Sequence, residues 1–324
     1  MKGLINALSF VALAGFMALI VTHRAGDVLS AVAGVGWQFG FICLLQLIPL
    51  ILHTAAWATL LPRSVARPFG NLLLFRWYGE SVTSVLPITP IGGDILRGHL
   101  HERTGASGPV AIGAVIVDLT TEVAGQLAFA VVALAILILR GRDAGTAPAM
   151  IATLTVLSVF VFGFYLAQRR ALFGGIVRVI TGLAGISTPR GAAYAQALDR
   201  AIRRLYLRQR HVWVSCVLHF LAWASGAVQL YAAAALVGHR IDRLDALMLE
   251  GLITALRAAA FMVPAALGVQ EGGFILLGSL IGIPPEMALS LSVIRRVREL
   301  LLGIPGALLW RTIGVPKWAA VINR

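Results

Sequence analysis

Long runs of apolar residues alternate with short polar segments along most of the chain. A helix needs about 20 apolar residues to cross a hydrocarbon core of about 30 Å. Runs of roughly this length or more predict spanning helices at about 4–22, 38–61, 109–139, 149–167, 211–237 and 286–310. Breaker residues such as Pro62 and Gly141 lie between the runs. The pattern therefore predicts an all-α polytopic membrane protein with about six spanning helices.

Two further apolar stretches, 70–103 and 245–284, do not fit a simple span. Each contains an apolar segment, then a proline, then a glycine-rich break and a second short segment. Non-helical backbone is tolerated at membrane depth only where it is buried in protein or lines a wet cavity. The stretches are therefore interpreted as two re-entrant hairpins, each made of two half-helices. The residues that break them are Pro87, Gly92 and Gly93 in the first hairpin, and Pro264, Gly268, Gly272 and Gly273 in the second.

The composition agrees with a membrane location and with a single transmembrane domain over 1–324. Hydrophobic residues make up 59% of the chain and charged residues 13%, whereas about 25% of a soluble domain is charged. The formal net charge is +13, which in a soluble protein would suggest nucleic-acid binding. In a membrane protein, basic residues instead collect in cytoplasmic loops and meet anionic headgroups. Nucleic acid is therefore not an expected partner.

The most basic part of the chain is the segment 168–210, which has nine arginines and one acid, Asp199. An excess of positive charge marks a cytoplasmic loop. Alternating the spans outward from this loop, with both hairpins returning to their own side, places both termini in the cytoplasm. Arginines recur at helical spacing between Arg200 and Arg208, which predicts a basic amphipathic helix on the inner leaflet.

The two hairpin stretches align with each other at an offset of 177 residues. The aligned pairs are Pro87 with Pro264, Asp94 with Glu271, Glu122 with Glu299 and, with charge reversed, Asp118 with Arg295 and Glu80 with Arg257. An odd number of crossings separates the stretches, so the second copy would be inverted, as in many transporters. The predicted repeat units are about 70–139 and 247–316. The alternative is that two proline-broken helices arose independently in a structural bundle.

Charged side chains within membrane segments are costly and require a partner or a function. Asp118 and Glu122 are four residues apart on one helix face, as are Arg295 and Glu299, with Arg298 on the same face as Arg295. Both faces are expected to line one central cavity. Alternatively, Asp118 or Glu122 pairs with Arg295 or Arg298 and only locks the bundle. The candidate substrate-binding or gating residues are Glu80, Asp94, Arg97, Asp118, Glu122, Arg257, Glu271, Arg295, Arg298 and Glu299.

Each glycine-rich break opens a short half-helix. The free N–H groups and the dipole at a helix N-terminus attract anions. Two such ends, with Arg97 or Arg257 nearby, would suit an anionic headgroup such as phosphate. Alternatively, Asp94 and Glu271 only cap their own helices. A buried carboxylate could also carry a proton and couple transport to a gradient.

No catalytic or metal-binding motif stands out in the sequence. His99 and His101 are two residues apart, so on a helix they face different sides. Ser81 has no nearby histidine–aspartate partner, and there is no P-loop and no HExxH motif. Cys43 and Cys216 lie in apolar runs and are interpreted as packing residues. No catalytic residue, metal or cofactor is predicted.

Two segments resemble a known family. The sequences GESVTSVLP at 79–87 and IGGDILR at 91–97 resemble the transmembrane region of lysylphosphatidylglycerol synthase and its stand-alone flippase-like relatives. The sequence VPAALGVQEGG at 263–273, together with the charged stretch 295–300, is most similar to the hopanoid-biosynthesis-associated branch. The resemblance covers nearly the whole chain.

The resemblance implies a polytopic protein of the bacterial inner membrane that flips or scrambles a lipid, such as a hopanoid or a modified phospholipid. Full-length synthases add a soluble aminoacyl-transfer domain, which this chain is expected to lack, so that enzyme activity is not expected. Membrane lipids and lipid-biosynthesis proteins are the expected partners. Likeness at the level of fold does not fix the substrate.

The leading hypothesis from the sequence is a lipid translocase. In this hypothesis the half-helix N-termini and membrane arginines receive a headgroup, and membrane carboxylates gate the cavity or carry protons. The arginines are Arg257, Arg295 and Arg298, and the carboxylates are Asp94, Glu122, Glu271 and Glu299. Two alternatives are an intramembrane enzyme acting on a lipid headgroup and a non-catalytic accessory of a lipid-synthesis complex.

Overall fold

The computed structural model describes residues 34–85, 92–142, 145–170, 189–260, 263 and 266–312. The first five α-helices are α1 (Phe39–Leu45), α2 (Leu47–Leu60), α3 (Phe69–Val85), α4 (Gly92–Arg103) and α5 (Gly108–Leu139). They are followed by α6 (Ala147–Arg169), α7 (Pro189–Leu207), α8 (Gln209–Leu236), α9 (Arg243–Ala259), α10 (Val269–Ser279) and α11 (Pro285–Thr312). The predicted span 4–22, both chain termini, Pro87 and Pro264 lie outside the described residues.

Four stretches within the described residues are long and apolar enough to cross a membrane. They are Gly36–Leu60, Gly108–Leu139, Ala147–Arg169 and Gln209–Leu236. The predicted spans 38–61, 109–139, 149–167 and 211–237 coincide with them. The predicted span 286–310 is helical as α11, but the charged stretch 295–299 keeps it out of this apolar group. The prediction of an all-α polytopic membrane protein is confirmed.

Helix α5 forms the centre of the helix packing, because it contacts α4, α6, α7, α8 and α9. Small residues allow its neighbours to approach closely, as is typical of membrane helices. A Cβ atom added to Gly125 would lie 2.8 Å from the backbone nitrogen of Phe220 on α8. A Cβ atom added to Gly251 on α9 would lie 2.5 Å from the Cβ atom of Ala133. Close backbone contact thus fixes α8 and α9 against α5.

The outward faces of the spanning helices are strongly apolar. On α6, for example, Val156, Val159, Phe160 and Phe162 are each at least 60% exposed. A soluble protein rarely exposes a contiguous apolar surface of this kind. These side chains are suited to contact with lipid hydrocarbon.

Helix α7 is amphipathic, as its arginine spacing predicts. Arg200, Arg203 and Arg204 are exposed, whereas Leu198 and Ile202 are buried. The buried face packs against α5. Arginine is therefore presented on the side of the helix away from the protein core.

Two groups of polar contacts lie at opposite ends of α5. Near its N-terminus, the side chain of His101 is 2.7 Å from the carbonyl oxygen of Val65, and Arg67 contacts Thr104. Near its C-terminus, Arg140 and Arg142 contact Asp245 at 3.0 and 3.1 Å, and Arg142 also donates to the carbonyl oxygen of Leu280. The outer ends of the α3–α4 pair therefore lie near the N-terminus of α5, and the outer ends of the α9–α10 pair lie near its C-terminus.

The interrupted stretches form pairs of short helices, α3–α4 and α9–α10, as the sequence predicts. In the first pair the helices touch through glycine. A Cβ atom added to Gly93 would lie 2.0 Å from the carbonyl oxygen of Gly79 and 2.4 Å from the hydroxyl of Thr83. The glycine at this break is therefore required by helix packing.

We expect Gly93→Ala to destabilise the protein by at least about 1–3 kcal/mol, because the added methyl group overlaps backbone that cannot rotate away. The measurement is the midpoint of thermal unfolding in detergent micelles. Gly70→Ala, on the same helix pair, is the matched control, since its Cβ atom would meet nothing within 4 Å. Equal unfolding midpoints for Gly93→Ala and wild type would contradict the packing role.

Candidate functional site

A group of buried charges, here called the N-terminal cluster, is built around Asp118 on α5. The cluster consists of Arg76, Glu80, Asp94, Arg97, Asp118 and Glu122. Asp118 is fully buried and accepts hydrogen bonds from Arg97 at 2.6 Å, from Arg76 at 3.0 Å and from His219 Nε2 at 3.0 Å. Its carboxylate thereby links α3, α4, α5 and α8.

Arg76 on α3 joins three carboxylates of the N-terminal cluster. Its guanidinium donates to Glu80 at 2.7 Å, to Asp118 and to Glu122 at 2.8 Å. Arg97 on α4 joins Asp118 to Asp94, which is 2.9 Å away. Both arginines are therefore already held in ion pairs with carboxylates of their own hairpin and of α5.

Two buried histidines adjoin the N-terminal cluster. His53 on α2 and His219 on α8 place their Nδ1 atoms 2.7 Å apart. The Nδ1 atom of His53 is also 3.8 Å from Glu122 Oε1. One nitrogen from each histidine and one oxygen of Glu122 all lie within 4.8 Å of one another. These three side chains form a set of potential metal ligands.

A second group of charges, here called the C-terminal cluster, surrounds Arg295 on α11. Arg295 pairs with Glu250 on α9 at 2.8 Å and with Glu299 at 3.4 Å. Glu299 also accepts from Arg257 at 2.8 Å. Arg298 is buried and donates to the side-chain oxygen of Gln229 on α8. The cluster therefore consists of Glu250, Arg257, Arg295, Arg298 and Glu299.

The N-terminus of α10 is closed by its own glutamate. Gly268 has a φ of +79°, a conformation that favours glycine, and its N–H donates to Glu271 at 2.7 Å. Glu271 is fully buried and also accepts from Arg296 at 2.6 Å and from Ser292 at 3.0 Å. The prediction that Glu271 caps its helix is confirmed, and the Arg296 pair adds a tether to α11.

A cavity of about 350 Å³ lies between the end of α3 and the middle of α11. Its described lining is mostly apolar, with one cation and one anion. The lining residues are Ser84, Leu267, Val293, Arg296, Val297, Glu299 and Leu300. A second cavity of about 20 Å³, large enough for about one water molecule, adjoins Glu250, Arg295 and Arg298.

The ion pairs in the structure differ from those that the sequence suggested as a structural lock. The proposed pairing of Asp118 or Glu122 with Arg295 or Arg298 is wrong. The two acids pair with Arg76 and Arg97, while Arg295 pairs with Glu250. The reason is that each hairpin supplies a countercharge to the long helix that follows it.

The larger cavity does not join the two charged helix faces as expected. Glu299 lines the larger cavity, but Asp118 and Glu122 do not. Of the hairpin glycines, Gly92 begins α4, Gly93 packs on Gly79, and Gly268 provides the turn before α10. Gly272 and Gly273 lie inside α10 rather than in a break.

Five residues of the site were missed by sequence reasoning: His53, Arg76, His219, Glu250 and Arg296. Arg76 is four residues before Glu80, a spacing that indicates an ion pair on a helix. The two histidines are 166 residues apart, so no local spacing relates them.

Comparison with protein families gives one match of nearly full length. The family model described as the lysylphosphatidylglycerol synthase TM region matches residues 6–306. The chain belongs to this family. It is therefore a membrane protein of lipid metabolism. No curated protein and no solved structure matches the chain.

The family match spans both charge clusters, the cavity and every described helix up to the last turns of α11. The polar network at the protein core is thus part of the lysylphosphatidylglycerol synthase TM region itself. It is not an addition at the edge of the family domain.

We expect Asp118→Asn to destabilise this family member by about 3–5 kcal/mol, because two buried arginines lose their shared countercharge. Glu80→Gln is the matched control, since Glu80 pairs with the same Arg76 but its side chain is 40% exposed. Its loss should cost about 1 kcal/mol or less. Chemical or thermal unfolding in micelles measures both. A loss for Asp118→Asn no larger than for Glu80→Gln would contradict the central role of Asp118.

Proposed function

We propose that this protein translocates a lipid across the membrane, with the cavity between α3 and α11 receiving the lipid. The observation that supports the proposal most directly is the composition of the cavity lining. Leu267, Val293, Val297 and Leu300 give it apolar walls, and Arg296 and Glu299 add opposite charges. A lipid has the same combination of apolar chain and polar headgroup. The volume of about 350 Å³ is at the lower end of the range for small-molecule sites.

The charges around this cavity favour an anionic or zwitterionic headgroup. The C-terminal cluster carries three arginines, Arg257, Arg295 and Arg298, against two glutamates, Glu250 and Glu299. With the Arg296–Glu271 pair neutral overall, one positive charge is in excess near the cavity. An anionic group entering the cavity would compensate that charge.

The N-terminus of α10 provides a gate in this proposal. Glu271 occupies the N–H of Gly268 and is tethered to Arg296, which lines the cavity. A headgroup phosphate or carboxylate would compete with Glu271 for the same donors, because both prefer a helix N-terminus. Binding would then release α10 from α11 and open the hairpin. In the same mechanism Glu299 exchanges its arginine partners. Asp94 in the first hairpin and Glu122 on α5 gate the first proposed unit or carry protons.

We also propose that 70–139 and 247–316 are inverted repeat units that give the lipid access from alternate sides. The helix starts support this, because Gly92 and Val269, and likewise Gly108 and Pro285, are each separated by 177 residues. The two hairpins also open toward opposite ends of α5. Inverted units with sites near the midplane are typical of transporters with alternating access.

Contacts between the proposed units are reciprocal, which further supports the repeat. Helix α3 packs along α11, and α9 packs along α5. Trp77 Nε1 donates to the carbonyl oxygen of Leu302 at 3.0 Å. Gln126 donates to the carbonyl oxygen of Thr254 at 3.0 Å. At the offset of 177 residues, Thr254 corresponds to Trp77, and Gln126 lies one position from the residue that corresponds to Leu302.

The proposed location is the bacterial inner membrane, with both termini in the cytoplasm. The exposed arginines of α7 support this orientation, because an excess of positive charge marks the cytoplasmic side of a membrane protein. Directly after α7, Arg208 donates to the carbonyl oxygen of Leu60 at the end of α2. The proposed substrates are a hopanoid or a modified phospholipid, as the family resemblance suggests, and lipid-biosynthesis proteins are proposed partners.

We expect Val297→Trp to slow lipid movement by about tenfold or more, equivalent to about 1.4 kcal/mol in activation free energy, because the indole fills the cavity. The assay is proteoliposomes loaded with fluorescent phospholipids and a hopanoid, in which lipid access to the outer leaflet is followed over time. Leu308→Trp is the matched control, since Leu308 is on the same helix but is 60% exposed on its outer face.

Movement at the wild-type rate in Val297→Trp would contradict transport through this cavity. If the folded wild-type protein moves none of the lipids, the translocase proposal is contradicted. Formation of a modified lipid in detergent, where no sidedness exists, would instead support the intramembrane enzyme.

The inverted arrangement is tested by single cysteines in a background in which Cys43 and Cys216 are serine. Ser107→Cys, before α5, should react with a membrane-impermeant maleimide only in inside-out vesicles. Ser279→Cys, at the end of α10, should react only from the opposite side. Both original serines are exposed. Labelling of both cysteines from the same side would contradict the inverted repeat.

A further inference from the structure

Three side chains from three helices converge on one point inside the N-terminal cluster. His53 is on α2, Glu122 is on α5 and His219 is on α8. His53 and His219 are 7% and 0% exposed. Imidazole nitrogen and carboxylate oxygen are the ligands that zinc-class divalent ions use, usually three at a time with a fourth position open. Interior placement of such a set is uncommon without a purpose, since each group loses its hydration.

The orientation of His219 is fixed by a carboxylate behind it. Its Nε2 atom lies 3.0 Å from Asp118 Oδ1, and Asp118 as an acceptor requires that this nitrogen carries the proton. The Nδ1 atom of neutral His219 therefore carries a lone pair, which faces the Nδ1 atom of His53 at 2.7 Å. Metal-binding histidines are commonly held in this way, with a carboxylate accepting from the nitrogen that does not bind the metal.

Charge balance independently indicates a cation. The N-terminal cluster contains four carboxylates, on Glu80, Asp94, Asp118 and Glu122, against two guanidinium groups, on Arg76 and Arg97. With neutral histidines the cluster therefore carries two negative charges in excess. Because the two Nδ1 atoms are only 2.7 Å apart, both cannot carry a proton there. One divalent ion would supply the missing charge.

The distances require only small side-chain movements. Ligands about 2.0–2.2 Å from a tetrahedral zinc ion lie about 3.3–3.6 Å from one another. The Nδ1–Nδ1 distance of 2.7 Å would widen, and the 3.8 Å distance from His53 to Glu122 would shorten. Glu122 uses its other oxygen for Arg76, so Oε1 is available on the side that faces the histidines.

We propose that His53, His219 and Glu122 bind a divalent transition-metal ion of the zinc class, and that Asp118 positions His219. The site is separate from the cavity proposed for the lipid, and the inference does not rest on lipid transport. Binding would cross-link α2, α5 and α8 at the protein core. The open fourth position would accept an oxygen ligand such as water.

The test uses the full chain purified through an affinity tag that lacks histidine. After chelation and removal of the chelator, the protein is titrated with Zn²⁺ alone, and bound zinc is counted by elemental mass spectrometry. Binding of Co²⁺ is followed in parallel by its visible absorption. Wild type should bind about one zinc ion per chain, and its unfolding midpoint should rise on addition of Zn²⁺.

Variants at the histidines separate metal binding from folding. His53→Gln and His219→Gln should each weaken zinc binding by at least tenfold. His53→Cys should retain zinc binding, because a thiolate is also a zinc ligand. This variant therefore separates a role of His53 as a zinc ligand from a role as a hydrogen-bonding partner of His219. His99→Gln is the matched control, since His99 lies near Glu102 and away from the cluster.

Three outcomes would overturn the proposal. The first is folded wild type that binds less than one tenth of a zinc ion per chain and shows no change in unfolding midpoint. The second is equal zinc binding by wild type and by folded His53→Gln and His219→Gln, which would place the ion elsewhere. The third is loss of zinc binding in folded His53→Cys, which would indicate that His53 supports the fold around the ion without being a ligand itself.

Discussion

The arrangement of helices depends on the neutralisation of charge in a low-dielectric interior. A carboxylate such as Asp118, with no exposure to solvent, is stable only when donors surround it. Three donors from three other helices meet this requirement. The positions of α3, α4 and α8 relative to α5 follow from it, because moving any one of them by a few ångströms would leave a buried charge without a partner. Apolar packing of membrane helices cannot supply the same specificity, since lipid tails are as apolar as the side chains.

The same requirement is met in both proposed repeat units: the Arg257–Glu299 pair repeats the polarity of the Arg76–Glu122 pair, whereas the Glu250–Arg295 pair reverses it. In the first unit the long helix α5 supplies Asp118 and Glu122, and the hairpin arm supplies Arg76. In the second unit the long helix α11 supplies Arg295, and the arm supplies Glu250. Each unit thereby neutralises most of its charge internally. Contacts between the proposed units include neutral hydrogen bonds, such as Trp77 with Leu302 and Gln126 with Thr254. At the C-terminal end of α5, Arg140 and Arg142 add ion pairs with Asp245 on α9.

The sequence alone predicts features that depend on residues close together in the chain, but not contacts between residues that are far apart in it. Apolar length predicted the spans from 38–61 to 211–237, because a helix crossing lipid needs many consecutive apolar residues. The proline and glycine spacing predicted both pairs of short helices, and capping of α10 by Glu271 was one of two interpretations of an acid at the start of that helix. The cost of charge in lipid identified the right residues, including Asp118 and Arg295, but not their partners. Partner choice depends on which helices become neighbours, and the contact of His53 with His219 across 166 residues is set only by the folded chain.

The two clusters also differ in the charge that remains after pairing, and this difference favours a different ligand at each of the two proposed sites. The N-terminal cluster retains two negative charges, whereas the C-terminal cluster retains one positive charge. A headgroup with a phosphate would be repelled by the first and attracted by the second, where the larger cavity lies. A divalent ion would show the opposite preference, and the ligand set of nitrogen and oxygen atoms lies in the negative cluster. An inverted repeat with equal charges in both units would give two equivalent sites. In the proposed repeat, Arg295 stands at the position that corresponds to Asp118, and this change of charge would make one unit suited to a cation and the other to an anionic lipid.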